Sequence, residues 1–274
     1  GSEISDVSLD KLGGVSWGSR KEKLKKRIKF LAEELMAVAA KRQMSMADII
    51  NVPDDFYEEF CSKFPFEETN DQYNAIDDVI KDLEKGQPMD RLICGDVGFG
   101  KTEVALRASF LSAMSGKQVA ILAPTTLLAR QHFETFKARF KGFPINISEL
   151  SRLSSNKEQV IKNINSGFSD ITIGTHSLLG DKVEFNDLGL LIVDEEQHFG
   201  VKHKEKIKKL KSNIHILTLT ATPIPRTLQL AMTGVRDLSI IASPPVDRRT
   251  IETYVFPKDP LVIRESILRE RHRG

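Results

Sequence analysis

The chain has little cysteine, no long apolar run and almost no net charge. Its 274 residues include only two cysteines, Cys61 and Cys94, and their separation matches no zinc-ligand or redox spacing. No segment reaches the roughly 18 uninterrupted apolar residues of a membrane span, and no cleavable signal peptide opens the chain. We therefore expect a cytoplasmic protein with no membrane partner, whose thiols act as small packing residues.

The formal net charge is +2, so charge alone neither requires nor excludes a nucleic-acid partner, and any basic surface must be local. Residues 20–29 and 202–211 are strongly basic. For both stretches we favour a solvated helix face, with contact to nucleic acid or a protein partner as the alternative. The apolar share of 40% is ordinary for a globular domain, so the chain can build a sizeable core.

Periodicity and composition divide the chain into four parts. The opening Gly-Ser pair is typical of a removed tag, and the segment to which it belongs is expected to be an extended tail. The next part is predicted to be an amphipathic linker helix, because apolar residues recur every three or four positions between Leu24 and Val38. The last part offers a strand and a helix, as at the truncated start of a second lobe. The predicted parts are 1–16 (tail), 17–50 (linker helix), 51–247 (main lobe) and 248–274 (start of a second lobe).

Short apolar segments alternate with helical ones in the main lobe. A helix over about 71–85, capped by Thr69 or Asn70, precedes the first of them. The predicted strands are 91–94, 118–123, 171–174, 188–194, 215–220 and 238–243. Such apolar, mostly β-branched strands are buried on both faces. The alternation predicts an α/β fold: a parallel sheet flanked by helices, as in a RecA-like P-loop NTPase lobe.

The segment GDVGFGKT fits the phosphate-binding template G-x-x-x-x-G-K-[ST], and it lies between a predicted strand and a predicted helix. Its glycines allow a tight turn whose amides point at phosphate oxygens, and the helix N-terminus adds its positive dipole end. Lys101 is expected to reach the β- and γ-phosphates of ATP, and the Thr102 hydroxyl is expected to bind Mg²⁺. The predicted nucleotide-binding residues here are Gly95, Asp96, Val97, Gly98, Phe99, Gly100, Lys101, Thr102 and Glu103.

Two further segments suit the chemistry of phosphoryl transfer, which depends on positioning and charge neutralisation. Asp194 ends an apolar strand and can hold the Mg²⁺ shell, and Glu195 can polarise the attacking water. Glu196 fits an acidic helix cap better. The strand 215–220 ends in small hydroxyl residues on the same edge of the sheet, where they can sense the γ-phosphate. The residues predicted to couple in this way are Thr220, Ala221, Thr222 and Arg226.

Together these motifs resemble the first motor domain of superfamily 2 helicases and translocases. The resemblance implies that Gln72 reads the adenine edge by a bidentate hydrogen bond and that Phe66 packs nearby. It also implies that APTTLLARQH (123–132) and IGTH (173–176) lie along a nucleic-acid track, where hydroxyls and amides contact phosphates. The candidate nucleic-acid contacts are Thr125, Thr126, Arg130, Arg152, Thr175 and His176.

Within that superfamily, the segments 95–105, 188–208 and 217–241 resemble the transcription-repair coupling factor family. That resemblance implies a double-stranded-DNA translocase that displaces stalled RNA polymerase and couples transcription to nucleotide excision repair. RNA polymerase and the excision-repair damage sensor would be bound through modules absent from this chain. One alternative is a RecG-like fork-remodelling helicase, against which Phe99 and the opening LDKLGGVSW argue. Another is a regulatory P-loop protein, which has no need for PTTLLARQ or IGTH.

The sequence departs from the coupling factor pattern at one motif. The family usually has histidine and arginine where this chain has Gln197 and His198. We expect Gln197 still to act catalytically, by hydrogen bonding toward Thr220 or Thr222. Motors of this kind place ATP between two lobes, and arginine fingers can contribute a factor of roughly 10³ to 10⁵ in turnover. The chain ends as the second lobe would begin, so we expect it to bind ATP weakly and hydrolyse it slowly by itself.

Overall fold

The computed structural model describes most of the predicted main lobe and parts of its flanks. The described residues are 21–23, 37, 40, 42, 44–51, 54–152, 154, 156–200, 203, 206–207, 214–221, 236–245 and 253–273. Of the predicted linker helix 17–50, the described residues 21–23, 37, 40, 42 and 44 are helical, whereas residues 45–50 are not. The prediction is wrong for these last six residues, because the Ala47 and Ile50 amides donate to the carbonyls of Gly86 and Leu83 instead of continuing a helix. The other residues of that segment and the tail 1–16 lie outside the described residues.

From the first strand to the fourth, the described elements alternate between strand and helix, and two of the described helices precede them. The helices are α1 (Asp54–Ser62), α2 (Asn70–Glu84), α3 (Lys101–Met114), α4 (Thr126–Arg139), α5 (Lys157–Asn165) and α6 (Pro260–Arg273). The strands are β1 (Asp90–Gly95), β2 (Gln118–Leu122), β3 (Ile147–Leu150), β4 (Ile171–Gly174), β5 (Leu188–Asp194), β6 (His215–Thr220) and β7 (Asp237–Ile241). Short 3₁₀ turns follow β4 and β5, at His176–Leu179 and Glu196–His198.

The strands form one seven-stranded sheet in the order β3-β4-β2-β5-β6-β1-β7, and every pairing is parallel. This confirms the predicted RecA-like α/β fold. The order places β6 between β1 and β5, so the carboxyl ends of these three strands are neighbours at one edge of the sheet. The segments that follow them are therefore brought together by strand pairing alone.

Both faces of the sheet are covered, as the apolar strands predict. In β2, Val119 and Ile121 belong to one buried cluster while Ala120 and Leu122 belong to another. Because side chains alternate along a strand, the two clusters lie on opposite faces. Helices α1 to α4 contribute to the first cluster, and Ile164 of α5 contributes to the second.

Three predicted strands coincide with β4, β5 and β6, and the others differ at their ends. β7 ends at Ile241 rather than at 243, because the next two amides turn away from the sheet. The amides of Ala242 and Ser243 donate to the Asp71 carboxylate, at 3.0 and 2.8 Å. The edge strand β3 was not predicted, since it is short, only half-buried and interrupted by Ser148 and Glu149.

Helix α2 begins where the sequence predicts. Thr69 is its N-cap, and its hydroxyl accepts from the Gln72 amide while the Gln72 side chain accepts from the Thr69 amide. This reciprocal capping box satisfies two amides that a helix start leaves without partners. It also fixes the direction of the Gln72 side chain, which matters for the site described below.

Helix α3 is buried nearly all round, as its run of apolar and small residues requires. Phenylalanine rings from α1, α3 and the end of α4 hold it in place. Phe60 of α1 stacks on Phe110 of α3 with ring centroids 4.3 Å apart, and Phe140 at the end of α4 lies tilted against Phe110 at 6.1 Å. The position of α3 is thus set by packing on several sides.

A buried ionic cluster lies beside the first turn of α3. Glu103 is only 4% exposed, and it accepts from Arg107 Nε at 2.9 Å and from Arg139 Nη2 at 3.0 Å. Arg107 also bonds to Glu68 and donates to Cys61 Sγ at 3.1 Å. The cluster ties α3 to α4 and to the segment between α1 and α2, because each charge in it depends on the others for compensation.

The C-terminal segment is helical but packs little against the lobe. Residues 253–259 have no regular structure, so the strand predicted before the last helix is not found among them. No residue of α6 is buried. Within the described ranges, no helix is both long enough and apolar enough to cross a membrane.

We predict that Glu103→Ala lowers the free energy of unfolding by about 3–5 kcal/mol, because it leaves two buried guanidinium groups without their shared carboxylate. Urea unfolding of the chain measures this. Glu134→Ala is the control, since Glu134 pairs with an exposed arginine on the surface of α4 and should matter little. Equal losses in the two variants would contradict a structural role for the cluster.

We also predict a stability loss at mildly acidic pH that depends on His215. Its Nδ1 accepts from the Met89 amide at 3.2 Å, and its Nε2 lies 3.3 Å from the Asp48 carbonyl. Burial lowers the pKa of His215 below its ordinary value. Below a pH of about 6.5 the unfolded chain therefore takes up a proton that the folded chain does not, so stability falls as pH decreases.

The comparison is urea unfolding at pH 7.5 and pH 5.5 for the unsubstituted chain and for His215→Gln. Glutamine cannot titrate in this range, so the variant should lose less stability between the two pH values. The same loss in both proteins would show that His215 does not contribute to the pH dependence.

Candidate active site

The sheet order brings the three predicted phosphate-chemistry motifs together. Cys94 of β1 pairs with Thr220 of β6, and Asp194 of β5 pairs with Leu219. The phosphate loop after β1, the acidic pair after β5 and the small residues after β6 consequently meet at one edge. This juxtaposition is the geometry that the motifs predict.

The phosphate loop has the backbone conformation of an anion cradle. Gly98 and Gly100 have φ values of +79° and +84°, a left-handed conformation that suits glycine. Gly100 is the N-cap of α3 and has no side chain with which to cap the helix. Thr69 and Thr125, by contrast, cap α2 and α4 through their hydroxyls. The start of α3 thus has no side-chain acceptor of its own, and a phosphate fits that role.

Lys101 lies folded across this loop. Its Nζ donates to the carbonyls of Gly95 and Asp96, at 2.6 and 2.9 Å. Burial lowers the pKa of Lys101, while the negative charges of Glu195, Asp194 and Asp96 act in the opposite direction. A partly desolvated ammonium held at an open helix start suits binding of an anion such as a phosphate group.

Glu195 connects β5 to β6 through hydrogen bonds at its carboxylate. Oε1 accepts from the Ala221 amide at 2.8 Å, Oε2 accepts from the Thr220 hydroxyl at 3.1 Å, and the Gln197 amide also donates to Oε2. The backbone of Glu195 is left-handed, with φ +51°, which costs about 1–2 kcal/mol in a residue with a side chain. These bonds stabilise that conformation and link the acidic motif to the end of β6.

The structure adds a residue that sequence reasoning did not single out. His132 Nε2 lies 2.9 Å from Asp194 Oδ2, and both side chains are mostly buried. His132 was noted only as the last letter of a motif assigned to nucleic-acid contact. The sequence indicates its place on α4, two helical turns after the Thr125 cap. It does not indicate the partner, because Asp194 is 62 residues away in the chain.

Gln72 does not face an open adenine site in this structure. It is 2% exposed, and its Nε2 donates to the Phe99 carbonyl at 2.9 Å while its Oε1 accepts from the Thr69 amide at 3.0 Å. Both polar atoms of the amide are thus used to hold the phosphate loop against the start of α2. Adenine reading by Gln72 stays a prediction, and it would require these bonds to open.

Two other predicted nucleotide-binding side chains point elsewhere. Phe99 is 8% exposed and packs in the core, and Glu103 is committed to the buried ionic cluster. Their backbone amides are engaged as well, since Phe99 donates to the Asp96 carbonyl at 3.2 Å and Glu103 donates to the Gly100 carbonyl at 2.9 Å. Nucleotide binding by these two residues stays a prediction. Val97 is 70% exposed at the tip of the loop, and Phe66 is 61% exposed, with its ring edge-on to Phe64.

The candidate nucleic-acid residues occupy one edge of the sheet but differ in exposure. Thr125 is exposed, and its hydroxyl accepts from the Leu128 amide as a helix cap. Arg130 is paired with Glu134 and Glu149. Thr175 is 3% exposed, so its hydroxyl is poorly placed to reach a backbone phosphate. Thr126 is half-buried, and His176 and Arg152 are exposed.

Part of the coupling motif lies outside the described residues. Thr220 and Ala221 contact Glu195 as described above, whereas Thr222 and Arg226 are not among the described residues. The same holds for most of the basic stretch 202–211. Its described Lys206 pairs with Asp181 at 2.5 Å.

The donor set at this edge suits Mg²⁺ with a nucleotide phosphate. Carboxylate and hydroxyl oxygens are the ligands that Mg²⁺ prefers, and it binds through one or two carboxylates together with substrate phosphates. Asp194, whose charge acts on the Lys101 ammonium, and Thr102 in the first turn of α3 carry such oxygens. The cradle, the cation and the acidic pair are therefore chemically consistent with ATP and Mg²⁺.

Comparison with known proteins agrees with this geometry. The family model for DEAD/DEAH box helicases matches residues 69–231. The chain is 51% identical to a transcription-repair-coupling factor of Myxococcus xanthus and 53% identical to one of Haemophilus influenzae, in each case over the whole of this chain. It spans only 23% and 24% of the lengths of these curated relatives.

Among solved structures, RecG bound to a three-way DNA junction is similar, with a TM-score of 0.72 and 32% identity. The match covers 92% of this chain and 35% of the RecG chain. The helicase MrfA bound to DNA shares the fold at a TM-score of 0.52 and 18% identity.

We predict that Gly100→Ala displaces the Gln72 side chain from the phosphate loop, because an added Cβ would lie 2.3 Å from Gln72 Nε2, and that it strains the loop backbone at φ +84°. Gly116→Ala is a matched control: Gly116 has a similar φ of +79°, but its added Cβ meets nothing within 4 Å. The control should lose only about 1–2 kcal/mol of stability from backbone strain.

The measurement is titration of each variant with a fluorescent ADP analogue, together with thermal unfolding. We expect Gly100→Ala to weaken nucleotide binding at least about tenfold, which corresponds to roughly 1.4 kcal/mol. Gly116→Ala should bind like the unsubstituted chain. Equal binding by both variants would contradict the role of the Gly100–Gln72 contact.

Proposed function

Because this chain belongs to the DEAD/DEAH box helicase family, we propose that it is the ATP-binding lobe of a double-stranded-DNA translocase. The translocase displaces RNA polymerase stalled at DNA lesions and couples transcription to nucleotide excision repair. The observation that carries the proposal is the direct contact between the acidic motif and the end of β6, beside the phosphate loop. The identity of 51–53% to coupling factors supports the choice of this translocase within the family.

The residues of the loop bind and orient the nucleotide. The amides at the start of α3 and the Lys101 ammonium receive the phosphates, so the ammonium exchanges its present carbonyl partners for phosphate oxygens. Thr102 and Asp194 provide oxygens for the bound metal. When bound, Mg²⁺ neutralises charge on the phosphates.

Glu195 orients the water that attacks the γ-phosphate. In the present arrangement its carboxylate is turned toward Thr220 and Ala221. A water bound to Glu195 therefore either replaces the Thr220 hydroxyl or the Ala221 amide at the carboxylate, or is oriented by these two groups. This shared carboxylate gives the chain a direct route by which the state of the nucleotide alters the segment after β6.

A second lobe completes the motor in this proposal. Residues 248–274 are its start, and the exposure of α6 is consistent with a partner surface elsewhere in a longer polypeptide. Arginine fingers from that lobe would stabilise the charge that develops during phosphoryl transfer. By itself the chain therefore binds Mg²⁺–ATP weakly and turns it over slowly.

A RecG-like fork-remodelling helicase is the second candidate, because the match to RecG covers 92% of this chain. Its identity of 32% is well below that to the coupling factors. A regulatory P-loop protein without DNA work is the third candidate. It is disfavoured because the segments 123–132 and 173–176 lie at the same edge as the nucleotide site. The three candidate functions differ in whether the protein acts on double-stranded DNA, on RNA polymerase and on the damage sensor.

We predict that Lys101→Ala and Glu195→Gln separate binding from hydrolysis. Lys101→Ala removes the cation that meets the phosphates, so binding of a fluorescent ATP analogue should be lost. Glu195→Gln keeps the shape of the site but removes the charge that polarises water, so binding should persist while phosphate release stops. Lost binding in Glu195→Gln would assign Glu195 to metal binding or structure instead.

The function is tested in a full-length polypeptide that contains this chain. ATP hydrolysis is measured with and without duplex DNA, alongside release of an RNA polymerase stalled by nucleotide starvation. DNA-stimulated hydrolysis with polymerase release supports the proposal. Fork remodelling without polymerase release favours the RecG-like alternative, and hydrolysis indifferent to DNA favours the regulatory one.

A further inference from the structure

Helix α4 carries a histidine against the carboxylate assigned to the metal. His132 Nε2 is 2.9 Å from Asp194 Oδ2, and the two side chains are 13% and 14% exposed. A carboxylate can only accept in such a bond, so the histidine Nε2 donates its hydrogen. The contact takes up Oδ2 and leaves Oδ1 of Asp194 for another partner.

The helix packing sets where the imidazole lies. Ala129 and Phe136 are the buried residues of α4, and His132 lies three positions after the first and four before the second. Residues at these spacings share a helix face, so the face that packs on the lobe also carries the imidazole toward β5. The His132 contact is therefore built into the docking of α4.

We propose that His132 is a positioning residue that fixes the Asp194 carboxylate for the Mg²⁺-bound nucleotide. This rests on the proposed function, since it assumes that the edge binds nucleotide with Mg²⁺. An Asp side chain at a strand end can rotate about two bonds. A donor on one oxygen selects the orientation in which the other oxygen faces the phosphate loop, as outer hydrogen-bond partners do for metal ligands generally.

The placement also gives α4 a second role. The helix begins at Thr126, directly after the Thr125 cap in the segment assigned to nucleic-acid contact. At a rise of 1.5 Å per residue, the six steps from Thr126 to His132 span roughly 9 Å of rigid helix. His132 thus makes α4 a short mechanical link between that segment and the metal carboxylate.

The alternative is that His132 only anchors α4 to the sheet. The two interpretations differ in one measurable quantity, the dependence of nucleotide binding on Mg²⁺. A mere anchor affects folding and leaves the Mg²⁺ requirement unchanged. A positioning residue alters the Mg²⁺ requirement while nucleotide binding in the absence of the metal stays the same.

The experiment titrates this chain and its variants with N-methylanthraniloyl-ADP at increasing Mg²⁺, and also in EDTA. We expect His132→Ala to raise, about tenfold or more, the Mg²⁺ concentration that gives half of the full Mg²⁺-dependent increase in nucleotide affinity. The affinity for the nucleotide in EDTA should be unchanged. His132→Gln should restore most of the wild-type response, because its amide donates from a similar distance. Thr135→Ala, on the exposed side of α4, is the control and should behave like the unsubstituted chain.

Circular dichroism and thermal unfolding check that each variant folds. A folded His132→Ala with an unchanged Mg²⁺ response overturns the proposal. If His132→Ala fails to fold, His132→Leu replaces it as the apolar variant, and equal Mg²⁺ responses in His132→Leu and His132→Gln overturn it. If the unsubstituted chain binds no nucleotide at any Mg²⁺ concentration, the proposed function itself fails. If it binds nucleotide and only the expected effect of His132→Ala on the Mg²⁺ response is missing, the positioning role fails while the proposed function stands.

Discussion

The parallel pairing of β6 between β1 and β5 is the constraint on which the rest of the site depends. Parallel strands present their carboxyl ends at one edge, so the loop after β1, the acidic pair after β5 and the residues after β6 meet without further adjustment. Glu195 links the end of β5 to the end of β6, because its carboxylate accepts hydrogen bonds from the Ala221 amide and the Thr220 hydroxyl. A change in the strand order would separate the motifs even if each kept its local conformation.

The second constraint is the burial of α3. The helix that follows the phosphate loop is enclosed by aromatic packing and by the ionic cluster around Glu103, so the position of its N-terminus is fixed. Gln72 adds a further tie by bonding the Phe99 carbonyl. The conformation of the phosphate loop is thus fixed by α3 and by Gln72. Such preorganisation lowers the cost of ordering the loop when a phosphate binds.

The fold and the outline of the site followed from sequence because their signals are local. Apolar strands, a glycine-rich loop between strand and helix, and a helix cap at Thr69 or Asn70 each depend on neighbouring residues. β3 escaped prediction because it has only four residues, of which Leu150 alone is fully buried, and because Ser148 and Glu149 interrupt its apolar pattern. Gln72, Phe99 and Glu103 are predicted to bind the nucleotide from their motif positions, whereas packing turns their side chains toward the protein itself.

By itself the sequence determined the fold class, the phosphate loop and the acidic pair, since periodicity and spacing report on backbone conformation over a few residues. Only the tertiary structure decided the strand order, the engagement of Gln72 and the contact of His132 with Asp194. These depend on residues that lie far apart in the chain and meet because helices dock on a sheet. The pairing of His132 with Asp194 spans 62 positions, and no local pattern encodes which distant side chain will fill the space beside a carboxylate.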